Sequence, residues 1–199
     1  LRTEPGGSAT VELKRENIAE RLYRVTGQGI YRDSALLGEA VPIDRPNING
    51  GVLGQDSVQA LVYRDRIWWF WGDTQRAKYP LGLFKMSGST SRLPADGGLP
   101  PSEGVNLDYF VDEEGFSRAM APINGPGVVW LHGLFVLNDE QDEPRMLAHH
   151  SRRKSLAEAY ESGLAVFNDE SQAFEKLLQL QGDEPLYPRG HDVKHEEAG

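Results

Sequence analysis

Residues 55–74 read QDSVQALVYRDRIWWFWGDT, and the fold turns on this stretch. Residues 58–63 and 67–71 are two runs rich in β-branched and aromatic side chains. Such residues suit a pleated, half-buried surface. Between them Arg64-Asp65-Arg66 is a polar break of hairpin length. With the turn centred on Arg64-Asp65, Val62 faces Ile67. Carried outward, the same register sets Asp56 opposite Asp73, so two acids meet at the open end of one hairpin. A slip by one residue changes the partners but leaves both acids at that end. Side chains alternate between faces along a strand. Trp69 and Trp71 therefore belong on one face and Trp68 on the other, and we read the tryptophans, with Trp130, as core.

The rest of the chain repeats this grammar. Residues 11–14 read as a short strand, 16–24 as a helical turn or irregular strand, and 30–38 as a connector. Residues 85–105, rich in Gly, Ser and Pro, read as a long loop. Residues 105–111 are strand-like. Strands are expected at 128–131 and 134–137 about His132-Gly133, at 145–152 and at 163–167. A short helix is expected at 155–160, and a strand or short helix at 174–180. Residues 190–195 read as the opening of another strand. Many short strands with polar turns and few good helices give an all-β fold, a sandwich or a propeller. Two blade-like units are expected, one over 56–91 and one over 128–180.

Composition narrows the function classes. The chain has 199 residues, 39% hydrophobic and 26% charged, with a formal net charge of −9. This balance argues against nucleic acid and anionic membranes, which need clustered Lys and Arg. The short basic run Arg152-Arg153-Lys154 reads as a solvated loop. With no cysteine, the chain holds no disulfide, thiolate metal site or cysteine nucleophile. No apolar run reaches the roughly 18 residues of a membrane span. The opening LRTEP is neither an initiator methionine nor a signal peptide, and the expectation is a piece of a longer chain.

Two stretches carry a family resemblance. GLAVFNDESQAFEKL (residues 163–177) resembles the outer strands of five-bladed β-propellers of the glycoside-hydrolase type. QDSVQALVYRDRIWWFWGDT is similar to the first-blade hairpin of arabinanase- and fructosidase-like propellers, in which an aspartate opens the innermost strand. Over residues 20–199 the pattern resembles uncharacterised large bacterial, planctomycete-like proteins carrying this propeller. The resemblance implies a partial five-bladed propeller of two to three blades over 41–199. Residues 1–40 would then be a linker or the end of a preceding domain. It also implies an extracellular, periplasmic or envelope location, further blades of the parent chain as partners, and a glycan or other small polar ligand at the propeller axis. Of the three axial acids of the hydrolases, only the first carries over, to Asp56. At the second position this chain offers Asn124 and Gly127, and at the third His191, so the usual acid–base pair is missing.

The candidate residues follow. Asp56 and Asp73 are the candidate catalytic carboxylates; as a pair they also read as holders of Ca²⁺ or of sugar hydroxyls. The competing reading has Asp73 capping a turn through its own backbone. His149, Arg152 and His191 are the candidate substrate-binding residues. Adjacent strand residues point opposite ways, so one of His149 and His150 is expected buried and the other exposed. Arg152 reads either as a ligand for a carboxylate or phosphate or as a surface ion-pair partner. Glu161, just before SGLAVF, reads either as an acid at the axis or as a solvated loop residue, and the loop reading is favoured. Two functions stand: a carbohydrate-active propeller, or a non-catalytic binding or scaffold propeller.

Overall fold

The computed structural model describes residues 31–76 and 86–182, with a few isolated positions before residue 31. The segments read at 11–14 and 16–24, and the strand at 190–195 with His191, fall outside the described stretches. One short helix, α1 (Arg32–Leu36), occupies the expected connector. Apart from 3-10 turns at Asn49–Gly51 and Pro94–Asp96, the other elements are antiparallel β-strands: β1 (Val52–Gln55), β2 (Gln59–Tyr63), β3 (Arg66–Trp71), β4 (Thr74–Arg76), β5 (Ser87–Arg92), β6 (Asp108–Tyr109), β7 (Val128–Asn138), β8 (Pro144–Arg153), β9 (Ala159–Asn168) and β10 (Ala173–Gln179).

The strands form two four-stranded meanders and one small ladder. The orders are β2-β3-β5-β6 and β7-β8-β9-β10, each antiparallel and in chain order, while β1 pairs with β4. No sheet closes on itself among the described residues. The first hairpin has the register expected of it: Val62 pairs with Ile67 and Gln59 with Phe70. Arg64 (φ 47°) and Asp65 (φ 60°) are both left-handed, as the two central residues of a type I′ hairpin turn must be. Beyond a break at 56–58 and 72–73 the same register resumes, with Gln55 opposite Thr74 and Gly54 opposite Gln75. The β1–β4 ladder is thus the outer end of the β2–β3 hairpin.

The two meanders share one core. Tyr63, Trp68 and Phe70 of the first pack with Met146, Phe167 and Phe174 of the second. Phe167 lies edge-on to Trp68, with ring centroids 4.9 Å apart. The first strands, β2 and β7, lie against each other, and Gln59 Nε2 donates to the Leu131 carbonyl at 2.7 Å. A strap through Met120 stitches the sheets: its amide donates to Met86 and its carbonyl accepts from Phe174. The opposite face of the first sheet packs Val52, Trp71, Leu107 and Tyr109. Trp69 and Trp71 stack on that face at 6.3 Å, while Trp68 stacks with Phe70 on the core face at 6.4 Å. The tryptophans divide as the alternation requires.

Several local expectations are corrected. Residues 87–92 (SGSTSR), read as loop, form β5, and all but Arg92 are buried. The small side chains are the reason: a Cβ on Gly88 would come within 2.8 Å of Met120 and 3.1 Å of Phe70. The cost of burying hydroxyls is offset by bonds such as Trp69 Nε1 to Ser91 Oγ at 2.9 Å. The strand expected over 105–111 shrinks to the two residues of β6. The two strands expected about His132-Gly133 are one strand, β7, with a bulge after His132 where Gly133 adopts φ 58°. Residues 155–158 are not helical, and β9 begins at Ala159. The 174–180 stretch is a strand.

Candidate functional site

The hairpin's open end is where the two acids meet. The Asp56 amide donates to the Asp73 carbonyl, and the Gly72 amide donates to the Asp56 carbonyl, each at 3.1 Å. The arms run close here: a Cβ on Gly72 would sit 3.1 Å from Ser57 Cβ. Asp56 is exposed and Asp73 half-buried. Neither carboxylate pairs with a Lys, Arg or His among the described residues. The Asp73 carboxyl is held above its ordinary range, first by burial and then by the negative charge of Asp56.

A buried polar cluster fixes this end of the hairpin to the first sheet. Thr74 and Ser87 share a hydroxyl–hydroxyl bond of 2.6 Å. The Tyr109 hydroxyl donates to Gln55 Oε1 at 2.6 Å, and Gln55 Nε2 donates to Ser87 Oγ. Burial raises the Tyr109 phenol well above its ordinary value, so it remains a donor. These bonds hold Gln55 and Thr74, the neighbours of Asp56 and Asp73, in place.

A cleft of about 460 Å³ opens between this end and β7. Asp56, Asp73 and Gln59 line one wall, and Trp130, Leu131 and His132 the other. Trp130 and His132 alternate with the core residues Val129 and Leu131. A larger hollow of about 820 Å³ shares Trp130, His132 and Leu156 and continues over β8 and β9. His149 stands across from His132 on β8, the rings stacked at 5.8 Å. It therefore reaches the cleft only through His132. Sequence reasoning missed His132 and Gln59 as lining residues. The alternation in VVWLH (residues 128–132) is the signal that points to His132.

The second meander holds a charged cluster of a different kind. Glu161 is not in a solvated loop: it sits on β9, directly opposite Arg152, with its side chain 6% exposed. Its Oε2 lies 3.1 Å from Arg152 Nη2, and its Oε1 lies 3.3 Å from Lys176 Nζ and 3.7 Å from His150 Nε2. Arg152, expected at the ligand, is committed elsewhere. Besides Glu161 it donates from Nη1 to the Pro126 carbonyl at 2.9 Å and lies over the Tyr160 ring. Arg152 lines neither cavity. His149 and His150 are both buried, correcting the expectation that one faces solvent. They point to opposite faces of β8, but each face is covered at that depth. Burial lowers the His150 pKa below its ordinary value and keeps the ring neutral.

One glycine in this region is required by its neighbours. A Cβ on Gly163 would collide with the Leu178 carbonyl oxygen and approach His150 Cε1 within 2.8 Å. It faces the β10 bulge between Lys176 and Leu178, which accounts for the glycine in ESGLAVF.

Among the described residues no group of three or more His, Asp or Glu could hold a metal ion. The Asp56–Asp73 pair alone falls well short of the six to eight oxygens Ca²⁺ takes. No helix among them is long and apolar enough to cross a membrane. No protein-family model, curated protein or solved structure matches the chain.

Proposed function

We propose that the chain is part of a glycan-binding β-propeller, with the cleft at Asp56 and Asp73 as its ligand site. Two four-stranded antiparallel meanders in chain order, with first strands side by side, support the propeller reading. The observation that carries the ligand reading is the carboxylate pair, without an ion-pair partner among the described residues, on a cleft whose far wall is Trp130 and His132. Carboxylates accept hydrogen bonds from sugar hydroxyls, and the Trp130 side chain adds apolar surface to the far wall.

Binding is favoured over hydrolysis. Glycosidase carboxylates flank the scissile bond from two sides. Here both acids rise from one wall, and β7 opposes them with no carboxylate. The test is a glycan array with the purified chain, followed by calorimetry on wild type, Asp56→Asn and Asp73→Asn. The expected result is a bound glycan whose affinity falls about tenfold or more in each variant, a loss of about 1.4 kcal/mol, with melting unimpaired. Failure of wild type to bind any glycan, or binding indifferent to both substitutions, overturns the reading.

A further inference from the structure

We infer that the ligand of this cleft carries a positive charge: an amino sugar with a free ammonium group. This rests on the glycan-binding reading above and specifies its ligand class. Among the described residues the cleft is lined by two carboxylates and by no Lys or Arg. Arg153, which lines the adjoining hollow, is engaged by the Trp130 ring, with its guanidinium carbon 5.4 Å from the centroid, and by the Ser155 and Leu156 carbonyls. A neutral sugar settling here would desolvate the carboxylates without balancing their charge, which is costly. An ammonium group balances it and brings three donors.

A second, independent feature points the same way. Gln59 lines the cleft, is 8% exposed, and spends its Nε2 on the Leu131 carbonyl. Its buried Oε1 accepts no hydrogen bond among the described residues. A buried acceptor left without a donor is costly and needs an account. The two carboxylates of Asp56 and Asp73, on a wall whose Gln59 keeps a buried carbonyl oxygen without a donor among the described residues, thus form a site rich in acceptors, the complement of a protonated amine. A bare divalent cation fits less well, because no third carboxylate or histidine completes a coordination set among the described residues.

The test compares three trisaccharides, of glucosamine, of N-acetylglucosamine and of glucose, with 1,6-diaminohexane and Ca²⁺ as separate probes. Calorimetry is run at about 0.15 M salt, where long-range attraction is screened. Wild type should bind the glucosamine trimer about tenfold tighter than the other two. The preference should vanish in the Asp56→Asn/Asp73→Asn double variant and shrink in each single variant, with near-ultraviolet circular dichroism reporting an intact fold. Equal affinity for the three trimers overturns the charge inference and leaves glycan binding standing. Diamine binding through the aspartates, with no trimer bound, keeps the charge inference and overturns glycan binding. A preference that survives in the double variant reflects the overall charge of −9 rather than the cleft, and overturns the inference. Stoichiometric Ca²⁺ binding that displaces the amine overturns it too, and binding of no probe overturns both readings.

Discussion

Arg152 Nη2 and Glu161 Oε2 lie 3.1 Å apart across the β8–β9 ladder, and Lys176 and His150 approach the same carboxylate from β10 and β8. Removing one member of such a cluster strands the others in a desolvated place, whereas removing both charges together does not. Glu161→Gln should therefore lower the melting temperature by several degrees. Arg152→Met/Glu161→Leu should lose less than the two single changes added together. The pH profile carries the same information. Arg152 first, with Lys176, holds the Glu161 carboxyl below its ordinary value of 4.5. Its contribution is complete above that value and is lost as pH falls through the lower folded value. His150, kept neutral by burial against the opposing pull of Glu161, withdraws stability as pH falls through its ordinary 6.5. Urea melts of wild type and Glu161→Gln from neutral to acid pH check this. Parallel profiles below about pH 4.5 would rule out the Glu161 part.

Asp73 of the first hairpin behaves in the opposite sense. Asp73 is held above its ordinary range by burial and by Asp56. The folded state therefore resists its ionisation, and stability declines as pH rises through the folded value. Asp73→Asn should stabilise the protein at neutral pH by about 0.5 kcal/mol, the scale of a screened like-charge pair across a ladder. The gain should shrink below the ordinary carboxylate range, where the wild-type group is protonated as well. A site kept for ligand binding at some expense of stability behaves this way. Destabilisation by Asp73→Asn at neutral pH would instead assign the side chain a structural role.

The hairpin was legible because three local signals agreed: β-branched and aromatic runs, a short polar break, and a register that follows from the turn. Asp56 and Asp73 therefore meet in the structure where that register sets them. The strand β5 was illegible because SGSTSR has the composition of a loop, and only Met120 and Phe70 pressing on Gly88 reveal why small residues belong there. Glu161 was misplaced because β9 starts at Ala159, before its apolar stretch, so its polar first half resembles a loop. Its partner Arg152 stands on the adjoining strand, and the connection between them, residues 154–158, carries no tight-turn signal that would set the register. The far wall of the cleft depends on how β2 meets β7, a tertiary event that periodicity does not encode.

Phe167 is where that tertiary event is concentrated. The side chain is fully buried and touches Trp68 and Phe70 of β3 as well as Phe174 of β10. The ring of one meander thus fills the space between both. Phe167→Ala removes that ring and leaves a cavity the surrounding aromatic side chains cannot fully close, at a cost of about 3–5 kcal/mol. Phe167→Leu keeps most of the volume and should cost about 1–1.5 kcal/mol. Both changes should shift one cooperative urea transition to lower midpoint without splitting it, because the sheets also share the Met120 strap and the Gln59–Leu131 bond. A loss below about 1 kcal/mol for Phe167→Ala, or two separate transitions in wild type, would mean that the meanders do not share the core that places β7 beside the acids.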